Sequence, residues 1–237
     1  MIGHALAIDG PAGAGKSTVA KNLAKRLGYI YIDTGAMYRA TTYKALSLEI
    51  DLEDPEAFGF LDDTDFEFKK GELYMDSVNM TSLNRLKEVS DNVSLVASHI
   101  PVRNKLVKLQ QEIALNNNVV MDGRDIGTVV LKDANLKVFL TASPQVRAKR
   151  RYEELVALGR KVDIVELEKD IVRRDQYDSS RKYNPLKQAE DAIYIDTSNK
   201  NIDEVTDLLY KKFIEIVNKG DLKEWVYTIK QGYTHRR

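Results

Sequence analysis

Short apolar runs and helical repeats alternate along most of the chain. The first run, residues 5–8, precedes a glycine-rich segment, and apolar residues then recur at helical spacing from Val19 to Leu27, where Gly28 follows. Comparable apolar runs end at Ile32, Met121, Leu140 and Ile195. This alternation predicts an α/β protein, a three-layer sandwich whose parallel central sheet is covered by helices on both faces. We therefore expect the functional groups just after these runs, at the carboxyl ends of the strands.

Two stretches depart from this alternation. Within residues 66–75, alternating apolar residues flank the sequence KKGE, which is typical of a β-hairpin, and we interpret the surrounding residues 51–100 as an inserted module. The other stretch, residues 147–182, is dense in arginine, with one helical pattern over 144–158 and a second from 164 to about 175. Arginine binds anions through several donors at once, so this stretch is interpreted as a mobile lid over a bound nucleotide.

Composition favours a single globular domain over residues 1–237. Of these residues 43% are hydrophobic and 30% charged, and the formal net charge is +0, so no long-range field attracts a polynucleotide or an anionic membrane. The chain has no cysteine, which excludes thiol nucleophiles, disulfides and cysteine-ligated metals. The first apolar run meets Asp9 and lacks the cationic start of a signal peptide, and no run is long enough for a membrane span. We expect a cytoplasmic monomer.

The most specific chemical signal lies in residues 10–18. Their sequence, GPAGAGKST, fits the pattern G-x-x-x-x-G-K-[S/T] between a predicted strand and a predicted helix. In such a P-loop, backbone N–H groups surround the phosphates of a nucleotide, and the helix N-terminus adds partial positive charge. Lys16 would reach the terminal phosphates of ATP, and the Ser17 hydroxyl would hold Mg²⁺. The predicted nucleotide-binding residues are Gly10, Pro11, Ala12, Gly13, Ala14, Gly15, Lys16, Ser17 and Thr18.

The rest of the chain disfavours GTPases and motor ATPases. A GTPase needs D-x-x-G, but no glycine lies three residues after an aspartate, and the NKGD at 218–221 lies on a helical repeat that we expect to end at Gly220. A motor ATPase needs adjacent acids after a strand, whereas Asp122 is followed by glycine and arginine. Asp122 is left with two possible roles, holding a Mg²⁺-bound water or capping the next turn. Phosphate transfer to a bound acceptor is therefore favoured over hydrolysis.

Five motifs in sequence order resemble the bacterial cytidylate (CMP) kinases, which belong to the nucleoside monophosphate kinases. They are AIDGPAGAGKST, YIDTGAMYRA, VSLVASHIPVR, VVMDGRDIGTVV and RRDQYDSSRKYNPL, and the resemblance covers residues 5 to about 198. It implies that the insertion at 51–100 is the nucleotide-accepting module and that 147–182 is the lid. It further implies transfer of phosphate from ATP, with Mg²⁺, to CMP and dCMP, giving CDP and dCDP by direct in-line displacement.

The same resemblance implies roles for single residues. Ser94, Arg103 and Asp125 would face the cytosine, whose exocyclic amine suits a carboxylate acceptor and whose ring suits an arginine donor. Arg174 and Asp178 would contact the sugar. The residues expected around the acceptor phosphate are Thr34, Tyr38, Arg39, Arg124 and Arg181. The residues expected to stabilise the charge of the transferred group are Lys16, Arg39, Arg124, Arg174 and Arg181.

Two rival interpretations stay open at this point. A kinase for another small acceptor, such as UMP, dTMP or a hydroxy acid, would need the same phosphate-binding groups. A regulator or assembly factor would bind ATP only as a ligand. The C-terminal residues 220–237 lie outside the resemblance, and the sequence does not indicate their role.

Overall fold

The fold was obtained as a computed structural model, which describes residues 3–234, with residues 220–234 described by their backbone alone. Its strands are β1 (Ala5–Asp9), β2 (Ile30–Asp33), β3 (Phe66–Lys69), β4 (Glu72–Met75), β5 (Val78–Asn79), β6 (Val119–Gly123), β7 (Leu136–Thr141) and β8 (Ile193–Asp196). Its α-helices are α1 (Lys16–Leu27), α2 (Thr34–Ser47), α3 (Lys87–Val96), α4 (Ile100–Leu115), α5 (Pro144–Ala157), α6 (Ile164–Ser180) and α7 (Ile202–Thr234).

The central sheet is parallel throughout, with its strands in the order β2-β6-β1-β7-β8. Its two faces are covered differently. On one face, Leu6 packs with α1 and with Phe213 of α7, and on the other, Met121 packs with Val107 of α4. Strand β1 is buried along its whole length, which is why it reads as a continuous apolar run. The predicted α/β fold, a parallel sheet between helical layers, is confirmed.

Residues 51–100 contain a second, antiparallel sheet in the order β3-β4-β5. Strands β3 and β4 confirm the predicted hairpin, and its turn residues Lys70 and Gly71 have φ of 53° and 78°, as a tight hairpin turn requires. Strand β5 was not predicted. The side chains of this region share a core with α2 and α4, in which Met37 and Val96 are fully buried. The limits of the module, 51–100, remain a prediction.

Helix α6 begins where the sequence predicts. The carboxylate of Asp163 accepts hydrogen bonds from the N–H groups of Val165 and Glu166, at 2.7 and 3.2 Å, and so caps the helix. The helix continues to Ser180 instead of ending near residue 175.

Helix α7 does not end at Gly220 as we expected but continues to Thr234. A glycine inside a helix costs only about 1 kcal/mol relative to alanine, so a helical sequence on both sides outweighs it. The backbone of residues 220–234 is therefore helical, and residues 235–237 of the predicted tail lie outside the described residues. Over residues 3–234, no helix has the length and apolar character that a membrane span requires.

Candidate active site

The glycine-rich loop joins β1 to α1. Gly10 has φ of 144°, and a Cβ atom there would lie 1.9 Å from the carbonyl oxygen of Leu140, so glycine alone fits between the loop and β7. Lys16 is buried and its Nζ donates to the carbonyl oxygen of Pro11 at 2.8 Å, which holds the ammonium inside the loop. Burial, with the nearby Arg124 guanidinium, lowers the pKa of Lys16 to about 7.

Asp122, in β6, lies between two hydroxyl groups. Its carboxylate accepts from Ser17 Oγ at 2.9 Å and from the Tyr31 hydroxyl at 2.8 Å, and burial together with the nearby Asp33 raises its pKa to about 6. Both carboxylate oxygens are thus directed at Ser17 and Tyr31, so the turn-capping role considered for Asp122 is wrong. Thr34 Oγ1 donates to the Asp122 carbonyl oxygen at 2.8 Å, which connects this group to the start of α2.

A cleft lies next to this group, between α2, α3, the turn after β6, and α6. Nine of the ten residues predicted to bind the acceptor line it, and the tenth, Arg103, is behind its wall. The residues that line the cleft are Thr34, Gly35, Tyr38, Arg39, Val93, Ser94, Ala97, Arg124, Asp125, Arg174, Asp178 and Arg181. The structure therefore brings together residues from four separate motifs, although their individual roles remain predictions.

Arg103 and Asp125 form a buried ion pair at one wall of the cleft. The side chain of Arg103 is 1% exposed and that of Asp125 is 6% exposed. One guanidinium nitrogen pairs with the Asp125 carboxylate, and Nη1 donates to the carbonyl oxygen of Ala97 at 3.0 Å. Arg103 thus supports Asp125 from behind, and the arginine stays ionised and paired while the carboxylate lines the cleft.

Three arginines surround Asp178. Arg124 Nε lies 3.0 Å, Arg181 Nη2 3.5 Å and Arg174 Nε 4.0 Å from its carboxylate oxygens. Burial opposes ionisation of Asp178, but these guanidinium groups hold its pKa below the usual value. Burial, with Arg124 next to it, lowers the pKa of Arg174 to about 10. One carboxylate among three guanidinium groups leaves this part of the cleft positive, which suits a phosphate.

Two arginines assigned to the lid contact the P-loop from behind. Arg147 is buried, and its Nη1 donates to the carbonyl oxygen of Ala12 at 3.2 Å while Nη2 pairs with Asp175 at 2.6 Å. Arg150 Nη1 donates to the carbonyl oxygen of Gly13 at 3.3 Å. Sequence reasoning gave these residues no role, although their spacing of three residues places them on one side of α5.

The sequence also gave no role to Asp9, beyond its interruption of an apolar run. Asp9 ends the buried strand β1, and burial raises its pKa to about 7, with Gly127 and Ile126 N–H groups opposing that shift. A charged side chain at the end of a fully buried strand was the signal that could have drawn attention to it.

Comparison with known proteins identifies the family of this chain. The sequence profile of the family "Cytidylate kinase" matches residues 6–215. A cytidylate kinase of Acholeplasma laidlawii (strain PG-8A) is 47% identical over 226 residues, which cover 94% of this chain and 100% of the relative. One from Geobacillus sp. (strain WCH70) is 52% identical over 219 residues, covering 90% and 96%. A crystal structure of an uncharacterized protein from Eubacterium ventriosum shares the fold, with a TM-score of 0.53 at 15% identity over 90% of this chain and 98% of that one. This chain therefore belongs to the cytidylate kinase family.

Proposed function

We propose that this enzyme transfers the terminal phosphate of ATP to CMP and dCMP by direct in-line displacement. Membership of the cytidylate kinase family supports CMP as acceptor and ATP as donor. One observation carries the proposal furthest: a buried carboxylate, Asp125, and the arginines around Asp178 line a single cleft beside the P-loop. A pyrimidine monophosphate has a matching arrangement, with a base that donates an N–H at one end and a phosphate at the other.

Recognition of the base is assigned to Asp125. The exocyclic amine of cytosine would donate to this carboxylate, whereas uracil presents a carbonyl oxygen at the same position. With uracil bound, the buried Asp125 carboxylate would face the carbonyl oxygen of the base, another acceptor, and the two could not form a hydrogen bond. A site of this kind discriminates by about 10⁴ in favourable cases.

The transfer itself is assigned to positioned positive charge. Lys16 would contact the donor phosphates, and the arginines that would hold the acceptor phosphate and the transferred group are Arg39, Arg124, Arg174 and Arg181. These groups offset the repulsion between two anions, and removing one such donor typically costs about 2–4 kcal/mol of transition-state stabilisation. The phosphate oxygen of the acceptor is already nucleophilic, so no general base is needed.

The Ser17 hydroxyl, with the Asp122 carboxylate beside it, fits the binding of a magnesium ion. Over the residues that the structure describes, no cluster of three or more histidine, cysteine or acidic side chains could hold a metal, so ATP oxygens would complete the coordination. The Ser17 hydroxyl donates a hydrogen bond to Asp122, which leaves the lone pairs of Oγ available for the ion. When bound with ATP, Mg²⁺ would reduce the negative charge on the phosphates.

The sugar and the lid complete the proposal. Asp178 and Arg174 line the cleft and would contact the ribose or deoxyribose of the acceptor. Helix α6 and its C-terminal cap Arg181 reach residues 51–100. There the Tyr177 hydroxyl lies 3.2 Å from Ser98 Oγ, and Arg181 Nη1 donates to the carbonyl oxygen of Ala97 at 3.2 Å. These contacts support a lid that closes over the acceptor. A cytoplasmic location and a monomeric state remain predictions from the sequence.

A substrate panel tests the proposed acceptor. ADP production from ATP is measured with CMP, dCMP, UMP, dTMP and AMP, and we expect kcat/KM to be highest for CMP and dCMP. Asp125→Asn should lower kcat/KM for CMP more than for UMP. The control Asp54→Asn removes a capping carboxylate from an exposed turn, where Asp54 accepts from the N–H of Glu56 at 2.9 Å, and should leave the ranking unchanged.

Three results would contradict the proposal. A wild-type preference for UMP would overturn the assignment of Asp125. Absence of any monophosphate-dependent ADP production would favour the regulator that uses ATP only as a ligand. For the in-line step, ATP with a chiral γ-phosphate should give product with inverted configuration, and retention would indicate a covalent enzyme intermediate instead.

A further inference from the structure

Asp9 lies between the two halves of the active site. It is the last residue of β1, its successor Gly10 begins the P-loop, and it is 4% exposed. Its Oδ1 accepts a hydrogen bond from the N–H of Ile126 and its Oδ2 one from the N–H of Gly127, each at 2.7 Å. These two residues directly follow Asp125, so the carboxylate holds the backbone of the turn that presents the proposed base-reading group.

The two hydrogen bonds need an acceptor with two oxygens. Ile126 and Gly127 begin a one-turn π-helix, Ile126–Val130, whose first N–H groups lack partners within the turn. Both N–H groups are buried and would be costly to leave unpaired, and an ionised carboxylate satisfies both. A Cβ atom on Gly127 would lie 3.3 Å from Asp9 Oδ2 and 3.1 Å from Lys137 Cδ, which shows how closely the turn is packed on the carboxylate.

We propose that Asp9 is a positioning residue that fixes the orientation of Asp125 and thereby contributes to the choice of cytosine over uracil. The inference rests on the proposed function of Asp125. Arg103 holds the carboxylate of that side chain, and Asp9 holds its backbone through the next two residues. Removing the backbone anchor lets the acceptor atoms move relative to the base, and selectivity of this kind is lost when such atoms shift by a fraction of an ångström.

The side chain of Asp9 can be changed without disturbing the start of the P-loop. Its backbone lies between two parallel neighbours, in register with Gly123 of β6 and Phe139 of β7. Pairing with both neighbouring strands therefore fixes the backbone of Asp9, and with it the position of Gly10, independently of the Asp9 side chain. We expect a substitution of this side chain to affect the use of the acceptor more than the binding of ATP.

The test is Asp9→Asn, assayed at pH 8, where the wild-type carboxylate is ionised. The amide has the same shape, but its NH₂ group faces one of the two N–H donors, so one hydrogen bond is lost. We expect the ratio of kcat/KM for CMP to kcat/KM for UMP to fall by about tenfold or more, with KM for CMP raised. KM for ATP should stay within about twofold, and Asp54→Asn should match the wild type throughout.

A second variant tests the inference if Asp9→Asn fails to fold. Gly127→Ala places a methyl group against the same carboxylate, so it should also lower the ratio of kcat/KM for CMP to kcat/KM for UMP. An unchanged ratio in a folded variant, or a rise in KM for ATP equal to that for CMP, overturns the inference. A wild-type enzyme that does not prefer CMP would instead refute the proposed function, so the two failures are distinguishable.

Discussion

Arg103→Met tests how far the fold depends on the buried ion pair that supports the cleft. The substitution keeps the apolar stem of the side chain but removes the ion-pair partner of the buried Asp125 carboxylate. It also removes the hydrogen bond from Nη1 to the carbonyl oxygen of Ala97 at 3.0 Å. Removing one member of a buried ion pair typically costs about 3–5 kcal/mol, a large part of the ~5–15 kcal/mol that stabilises a domain.

The measurement is the free energy of unfolding from urea titration at pH 8. At pH 8 we expect Arg103→Met to lose about 3–5 kcal/mol. Adding Asp125→Asn to Arg103→Met should restore part of the stability at pH 8, because it removes the buried charge that has lost its partner.

The control is Lys105→Met on the same helix. Lys105 pairs with Asp62 at 3.0 Å, but the side chain of Asp62 is 81% exposed, so the loss should stay below about 1 kcal/mol. If Arg103→Met costs no more than this control, and adding Asp125→Asn restores nothing, the pair does not stabilise the site as we argue.

Three further predictions concern the loop and strand β1. Burial lowers the pKa of Lys16 to about 7, and the phosphates of ATP would raise it, so ATP binding at pH 8 should take up protons. Calorimetry in buffers of different ionisation enthalpy should show this uptake, and Lys16→Met should reduce it. Because the pKa of Asp9 is raised from 3.8 to about 7, stability falls as pH rises through that range. Between pH 5 and pH 8 the free energy of unfolding of the wild type should fall by about 2–3 kcal/mol more than that of Asp9→Asn. If urea titrations show the same change with pH for both proteins, the burial of this charge is contradicted. Gly10→Ala should prevent folding or nucleotide binding, because its Cβ meets Leu140, whereas Gly28→Ala, with φ of 70° and open space around it, should cost only about 1–2 kcal/mol in thermal unfolding.

Features set by local patterns were predictable from the sequence. Strands β1 and β6 are apolar because both their faces are buried, and the P-loop follows from glycines that alone allow its backbone conformations. The hairpin of β3 and β4 follows from alternation around a glycine turn. The end of α7 was mispredicted because Gly220 is a local stop signal only when the following residues do not favour a helix.

The membership of the cleft was predictable only because the motifs resemble a known family. The contacts that support the cleft could not be predicted, because each joins residues far apart in sequence. Asp9 binds the N–H of Ile126 across 117 positions, and Arg147 binds the carbonyl oxygen of Ala12 across 135. No local pattern indicates which buried charge will meet which backbone group.

The arginine-rich lid shows why counting charges in a sequence is not enough to assign them. Arg147 and Arg150 direct their donors at backbone carbonyl oxygens of the P-loop, so the same donors are not available for a phosphate. Arg174 and Arg181 line the cleft. Within the described part of the chain, Arg174 Nε and Arg181 Nη2 are buried without a hydrogen-bond partner, and the Asp178 carboxylate lies 4.0 and 3.5 Å from them. Buried donors of this kind are costly unless a ligand satisfies them. We therefore expect any phosphate-binding groups of residues 147–182 to come from α6 and its C-terminal cap Arg181, while α5 contacts the P-loop. The ion pair between Asp175 of α6 and Arg147 of α5 joins the two helices.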